Sequence, residues 1–148
     1  MNQVPTILIV DDDEGHAILI RQNLESAGLA NRMEHFRDGQ AILDFFWGRD
    51  GAAPTRHEGC YLILLDVRMP KVDGVEVLRR LKSDAELKKL PVIMLTTTDD
   101  TREIERCYAL GCNEYIRKPV EYEKFAEAIR RLGLFLTLLV VTPVRPPE

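Results

Sequence analysis

Three aspartates, a threonine and a lysine of this 148-residue chain follow short runs that read as strands and are spaced so that they could act together. Asp11 and Asp12 come after Thr6-Ile7-Leu8-Ile9-Val10, and Asp66 after Tyr61-Leu62-Ile63-Leu64-Leu65. Thr96 follows Val92-Ile93-Met94-Leu95, and Lys118 follows Glu114-Tyr115-Ile116-Arg117. A single acid after a strand reads most simply as a helix N-cap, and Asp13 and Asp100 fit that reading. Asp11 and Asp12 come from one element and Asp66 from another, and gathering like charges costs free energy unless a cation joins them. Lys118 cannot balance three carboxylates alone. Mg²⁺ would, since it binds through one or two carboxylates, waters and phosphate oxygens. The matching chemistry is acyl-phosphate formation: a carboxylate attacks a phosphoryl group while cations and a hydroxyl stabilise its oxygens. Asp66, on the expected central strand, is the expected nucleophile, with Asp11 and Asp12 holding the metal.

These residues need a frame. The runs at 6–10, 61–65 and 92–95 are apolar on both faces, as buried parallel strands are. Weaker strands are expected at 32–36, near an edge, and at 114–117. Helices are expected around Ala17, Ile20, Leu24 and Ala27 before Gly28; around Ile42, Phe45 and Phe46; and around Val77, Leu78 and Leu81. Two more follow, one presenting Ile104, Cys107, Tyr108 and Gly111 on a single face, the other Tyr122, Phe125, Ala126 and Ile129. Residues 49–59, polar and containing Gly and Pro, read as a loop. Strictly alternating strands and helices predict an α/β doubly wound parallel sheet, whose ligand site lies beyond the carboxyl ends of the strands.

Composition narrows the class. Hydrophobic residues make up 45% and charged residues 30%, the mix of one ordinary globular domain. The net charge of −4 provides no basic footprint for nucleic acid or an anionic membrane. A receptor, a channel or a regulator with its own DNA-binding domain is not expected. The first residues resemble no signal peptide, and no apolar run reaches the ~20 residues of a membrane span. Cys60, Cys107 and Cys112 form no metal-binding pattern and read as reduced thiols, so a cytoplasmic protein is expected.

In these motifs the chain resembles the receiver domain of two-component response regulators, a flavodoxin-like (βα)5 fold. The matching pieces are Val10-Asp11-Asp12, Leu65-Asp66 with Met69-Pro70 and Asp73-Gly74, Leu95-Thr96, and Tyr115 with Lys118-Pro119. The resemblance implies strand order 2-1-3-4-5 and phosphorylation of Asp66 by a histidine kinase. It implies Mg²⁺ held by Asp12, Asp66 and the backbone carbonyl of Arg68, with Asp11 acting through water. Thr96 and Tyr115 would form the switch pair, and the Lys118–Pro119 bond would be cis. Asp12-Asp13-Glu14-Gly15-His16-Ala17, Thr96-Thr97-Thr98-Asp99-Asp100 and Leu132-Gly133-Leu134-Phe135 resemble, more narrowly, single-domain regulators associated with phytochromes. A bacteriophytochrome is thus the expected kinase. Arg68 and Thr97 depart from the familiar pattern beside the phosphoacceptor and the switch threonine, and Thr97 is expected to slow hydrolysis by crowding water.

The expectation is a non-enzymatic response regulator that signals by altered protein–protein contact. The alternative is an aspartyl-nucleophile phosphatase of the haloacid dehalogenase type, but Asp11-x-Asp13 is followed by Gly15 where Thr or Val belongs. His57 and Cys60 lack a second ligand pair for zinc. His16 and His35 read as a helix-surface and a strand residue, Trp47 as a partly exposed packing residue, and residues 82–89 as a solvated mixed-charge stretch. Residues 1–132 are expected to form the receiver and 133–148 a C-terminal extension. The uncharged apolar run at 134–141 is expected to be a dimerisation arm acting with the fifth helix, or else to fold back on its own domain.

Overall fold

The computed structural model describes residues 4–48, 59–96, 100–118, 121–137 and 143–145. Thr97, Pro119, most of the expected loop at 49–59 and residues 138–142 lie outside the described residues.

Five strands, β1 (Thr6–Val10), β2 (Met33–Phe36), β3 (Tyr61–Asp66), β4 (Val92–Thr96) and β5 (Glu114–Arg117), alternate with five helices. The helices are α1 (Glu14–Ser26), α2 (Gly39–Trp47), α3 (Gly74–Ser83), α4 (Thr101–Leu110) and α5 (Tyr122–Leu136). The sheet is all parallel in the order β2-β1-β3-β4-β5, with β3 at its centre and β2 at an edge.

Side chains alternate across each strand, so the apolar runs feed two cores. Leu8, Val10, Ile63, Leu65, Val92 and Met94 point to one face, where α2, α3 and α4 contribute Phe46, Leu78 and Cys107. Ile7, Ile9, Leu62, Leu64, Ile93 and Leu95 point to the other, against Ile20 and Leu24 of α1 and Phe125 and Ile129 of α5. At roughly 1.5–3 kcal/mol for each large side chain fully buried, this two-sided burial is what holds the sheet. Side-chain caps start four helices: Asp13, Asp38, Asp73 and Asp100 each accept a backbone N–H from the first turn.

Register carries the consequence for function. Val10 stands opposite Leu65, so Asp11 and Asp66 leave the sheet at one level. Asp66 stands opposite Leu95, and Thr96 opposite Arg117, so Thr96 and Lys118 come one residue later on the next strands.

Two stretches differ from the sequence reading. Residues 82–89 are not simply solvated: a 3-10 turn at Leu87–Lys89 buries Leu87 completely. Lys82 runs beneath it and donates to the carbonyls of Lys88 and Leu90 at 3.0 and 2.7 Å. On α4 only Cys107 is fully buried, and Tyr108 is turned outward.

α5 continues past Leu132 to Leu136. Leu132 and Leu136, one turn apart, are buried, whereas Leu134 and Phe135 are 61% and 53% exposed. Further on, Val144 returns to the domain, forms an antiparallel bridge with Gly59 and is buried in the core that contains Tyr61 and Phe46.

Candidate functional site

The strand ends bring Asp11, Asp12, Asp66, Thr96 and Lys118 into one crevice. Asp11, Asp66, Thr96 and Lys118 are buried, and Asp12 is exposed at the mouth. Asp11 is fixed at three points. Its Oδ1 accepts from the Asp13 backbone N–H at 2.9 Å, its Oδ2 accepts from Lys118 Nζ at 2.5 Å, and its carbonyl lies 2.7 Å from His35 Nε2. With Nε2 protonated, the imidazole donates to that carbonyl.

Lys118 bridges the two buried acids, donating also to Asp66 Oδ2 at 3.2 Å. Its backbone N–H donates to the Thr96 carbonyl at 2.6 Å, which ties the ends of β4 and β5. Asp66 Oδ1 accepts from the Arg68 backbone N–H at 3.4 Å. Burial holds the Asp66 carboxyl above its ordinary pKa; Lys118 pulls it down and the Asp11 charge raises it further.

One carboxylate oxygen from each of Asp11, Asp12 and Asp66 can lie within 4.8 Å of the others. Three acids against one ammonium leave an excess of negative charge, and an all-oxygen donor set suits a hard divalent cation. These residues fit Mg²⁺.

The Tyr115 phenol donates to Glu103 Oε1 on α4 at 3.5 Å and shares a hydrogen bond with the Thr96 side chain. Burial, then the Glu103 charge, holds the phenol well above the ordinary tyrosine pKa. Glu103 Oε2 also faces Arg68 Nη2 at 3.9 Å. Arg68, Glu103 and Tyr115 thus link the segment after Asp66 to the α4–β5 surface. An open cleft of about 580 Å³, lined by Arg68, Met69, Glu76, Glu103 and Arg106 among others, lies between the N-terminal ends of α3 and α4.

Every acid, the threonine, the lysine and the tyrosine singled out in the sequence converge here. Three neighbours were missed. His16, read as a surface residue, places Nδ1 3.4 Å from Lys118 Nζ. His35, read only as a strand residue, reaches the Asp11 carbonyl, and Glu103 joins Tyr115 to Arg68. For His35 the signal is register, since Ile9 pairs with His35 beside the end of β1. For His16 and Glu103 only a first-turn position in helices that begin at the crevice hints at a role.

An all-parallel five-stranded sheet in the order β2-β1-β3-β4-β5, with acids after its first and third strands and a lysine after its fifth, defines a receiver-like class of α/β domain. The chain belongs to the response regulator receiver domain family, whose model matches residues 7–130. It is similar to a response regulator receiver domain from Rhodospirillum rubrum, with 44% identity and a TM-score of 0.89 over 95% of this chain and 99% of that one. It is similar to the Mn(2+)-bound response regulator Rcp1, with 26% identity and a TM-score of 0.81 over 94% and 99%. It also resembles the phosphorylated cyanobacterial phytochrome response regulator RcpA, with 28% identity and a TM-score of 0.78 over 92% and 96%.

Proposed function

We propose that this receiver is a response regulator that accepts a phosphoryl group on Asp66 from the phosphohistidine of a histidine kinase. The observation that carries the reading is the Asp66 carboxylate at the end of the central strand, bridged by Lys118 to Asp11 and clustered with Asp12. A carboxylate oxygen of Asp66 attacks phosphorus, the P–O bond forms as the P–N bond breaks, and the departing imidazole takes up a proton. Asp12, Asp66 and the Arg68 carbonyl would hold Mg²⁺, with Asp11 acting through water; when bound, the ion neutralises charge on the phosphoryl oxygens. Lys118 supplies the second cation, and the Thr96 hydroxyl donates to a phosphoryl oxygen. Tyr115 follows Thr96, and the α4–β5 face reports the change to a binding partner. The domain's own chemistry is limited to gaining and losing this group. Its place of action is the cytoplasm, without nucleic acid or membrane.

The resemblance to RcpA, described as a phytochrome response regulator, supports a bacteriophytochrome as the kinase. Leu134 and Phe135, exposed at the end of α5, support a homodimer through α5 and residues 133–148, the C-terminal extension beyond the receiver at 1–132.

The test is incubation with phosphoramidate and Mg²⁺. One phosphoryl group should appear on the wild type and none on Asp66→Asn. Label retained in Asp66→Asn, or lost only in Asp11→Asn, would overturn the assignment. Turnover of a generic phosphate ester would favour the phosphatase alternative. Millimolar Mg²⁺ should raise the melting temperature, and Asp12→Ala should diminish that rise. Light scattering at tens of micromolar, on the full chain and on a version ending at Gly133, tests the dimer.

A further inference from the structure

Lys118 has three ammonium protons, almost no exposure to water, and three facing acceptors. Two are Asp11 Oδ2 at 2.5 Å and Asp66 Oδ2 at 3.2 Å; the third is His16 Nδ1 at 3.4 Å. Both carboxylates are charged acceptors within the site. The imidazole comes from outside the acid cluster and lies where, with Nδ1 unprotonated, it can take the one ammonium proton that neither carboxylate holds.

His16 is itself held in place. Its backbone N–H donates to Asp13 Oδ1 at 3.1 Å, which fixes it in the first turn of α1. Its ring meets the edge of Phe125 on α5 at a centroid distance of 5.6 Å. A neutral ring can accept from Lys118 only with its proton on Nε2, leaving the Nδ1 lone pair free.

We propose that His16 is a positioning residue for Lys118, completing the ammonium's acceptor set so that Nζ, bonded to Asp11, keeps its reach to Asp66. This deepens the phosphoacceptor reading and rests on it. The groups facing the ring are Lys118 after β5, Asp13 before α1 and the uncharged Phe125 of α5; Asp13 Oδ2 lies 3.7 Å from Nδ1. A ring carrying its proton on Nδ1 could not accept from Lys118, and the ammonium would lose its third anchor.

The experiment compares wild type, His16→Asn and His16→Phe. Initial rates of labelling by phosphoramidate with Mg²⁺ are measured at pH 8, and melting curves check that each variant is folded. The asparagine side chain places an amide oxygen close to the Nδ1 position, and phenylalanine preserves the ring contact while offering no acceptor. At pH 8, His16→Phe should be slower by about tenfold, the change one lost charge-assisted hydrogen bond represents. His16→Asn should stay near the wild-type rate. In ¹⁵N spectra of the wild type at pH 8, His16 should be the Nε2–H tautomer.

His16→Phe equal to wild type at pH 8, His16→Asn as slow as His16→Phe, or an Nδ1–H tautomer would each overturn the proposal. A wild type that takes no label, or takes it equally in Asp66→Asn, would overturn the phosphoacceptor reading itself and the role in transfer with it. The tautomer is read separately, without any phosphodonor.

Discussion

Lys118 donates to Asp11 Oδ2 at 2.5 Å, a buried ion pair between residues 107 positions apart in the chain. The same ammonium reaches Asp66, so one cation holds the ends of β1, β3 and β5 together while touching the proposed phosphoacceptor.

Removing that cation leaves two buried carboxylates uncompensated. Lys118→Met should therefore destabilise the metal-free protein by about 3–5 kcal/mol, the usual cost of breaking a buried pair from one side. Urea denaturation at pH 7 measures it, and millimolar Mg²⁺ should recover part of the loss. A change below about 1 kcal/mol would show that solvent already screens this pair.

Asp66 has a raised pKa in the folded protein, chiefly through burial. Between the unfolded value and the raised folded one, the native state holds a proton that the unfolded chain releases. Stability therefore falls as pH rises through that window. Without metal, Asp66→Asn should melt above the wild type at pH 7, and the gap should close as pH falls toward 4. Melting temperatures of both proteins across pH 4–8 check this; a gap that does not vary with pH would remove the electrostatic account.

Two glycines should respond differently to a methyl group. At Gly74, where α3 begins, a Cβ would stand 2.1 Å from the Asp66 carbonyl oxygen and 2.8 Å from Val67 Cα. Gly28 has φ of +96° but nothing within 4 Å, so only backbone strain opposes a side chain there. Gly74→Ala should cost about 3 kcal/mol or more and slow phosphoryl uptake by displacing β3, whereas Gly28→Ala should cost about 1 kcal/mol. Equal losses in urea denaturation would contradict the packing argument.

Val144 exchanges backbone hydrogen bonds with Gly59 and buries its side chain in the core. Val144→Ala should cost about 1–2 kcal/mol, as truncation of a packed aliphatic does, although it lies far from the crevice. An unchanged denaturation midpoint would mean that this part of the tail adds nothing to the fold.

The uninterrupted apolar runs and the acids that end them determined most of this protein in advance. A strand apolar on both sides must be covered on both sides, so Thr6–Val10, Tyr61–Asp66 and Val92–Thr96 lie inside a parallel sheet. Their carboxyl ends then share one edge, which brings Asp11, Asp66, Thr96 and Lys118 together. Neighbours set by rotation about a helix, or by the return of a distant segment, were decided only by tertiary packing. His16 faces Lys118 because α1 packs beside α5 with its first turn at the crevice, and Glu103 meets Tyr115 because α4 lies along β5. The apolar residues after Leu132 divide for the same reason. Helical periodicity turns Leu136 inward and Leu134 and Phe135 outward, and Val144 is buried because its bridge to Gly59 sets it against the core that contains Tyr61. Local pattern specifies which residues are apolar and where strands end; only the packed fold specifies which surface each of them meets.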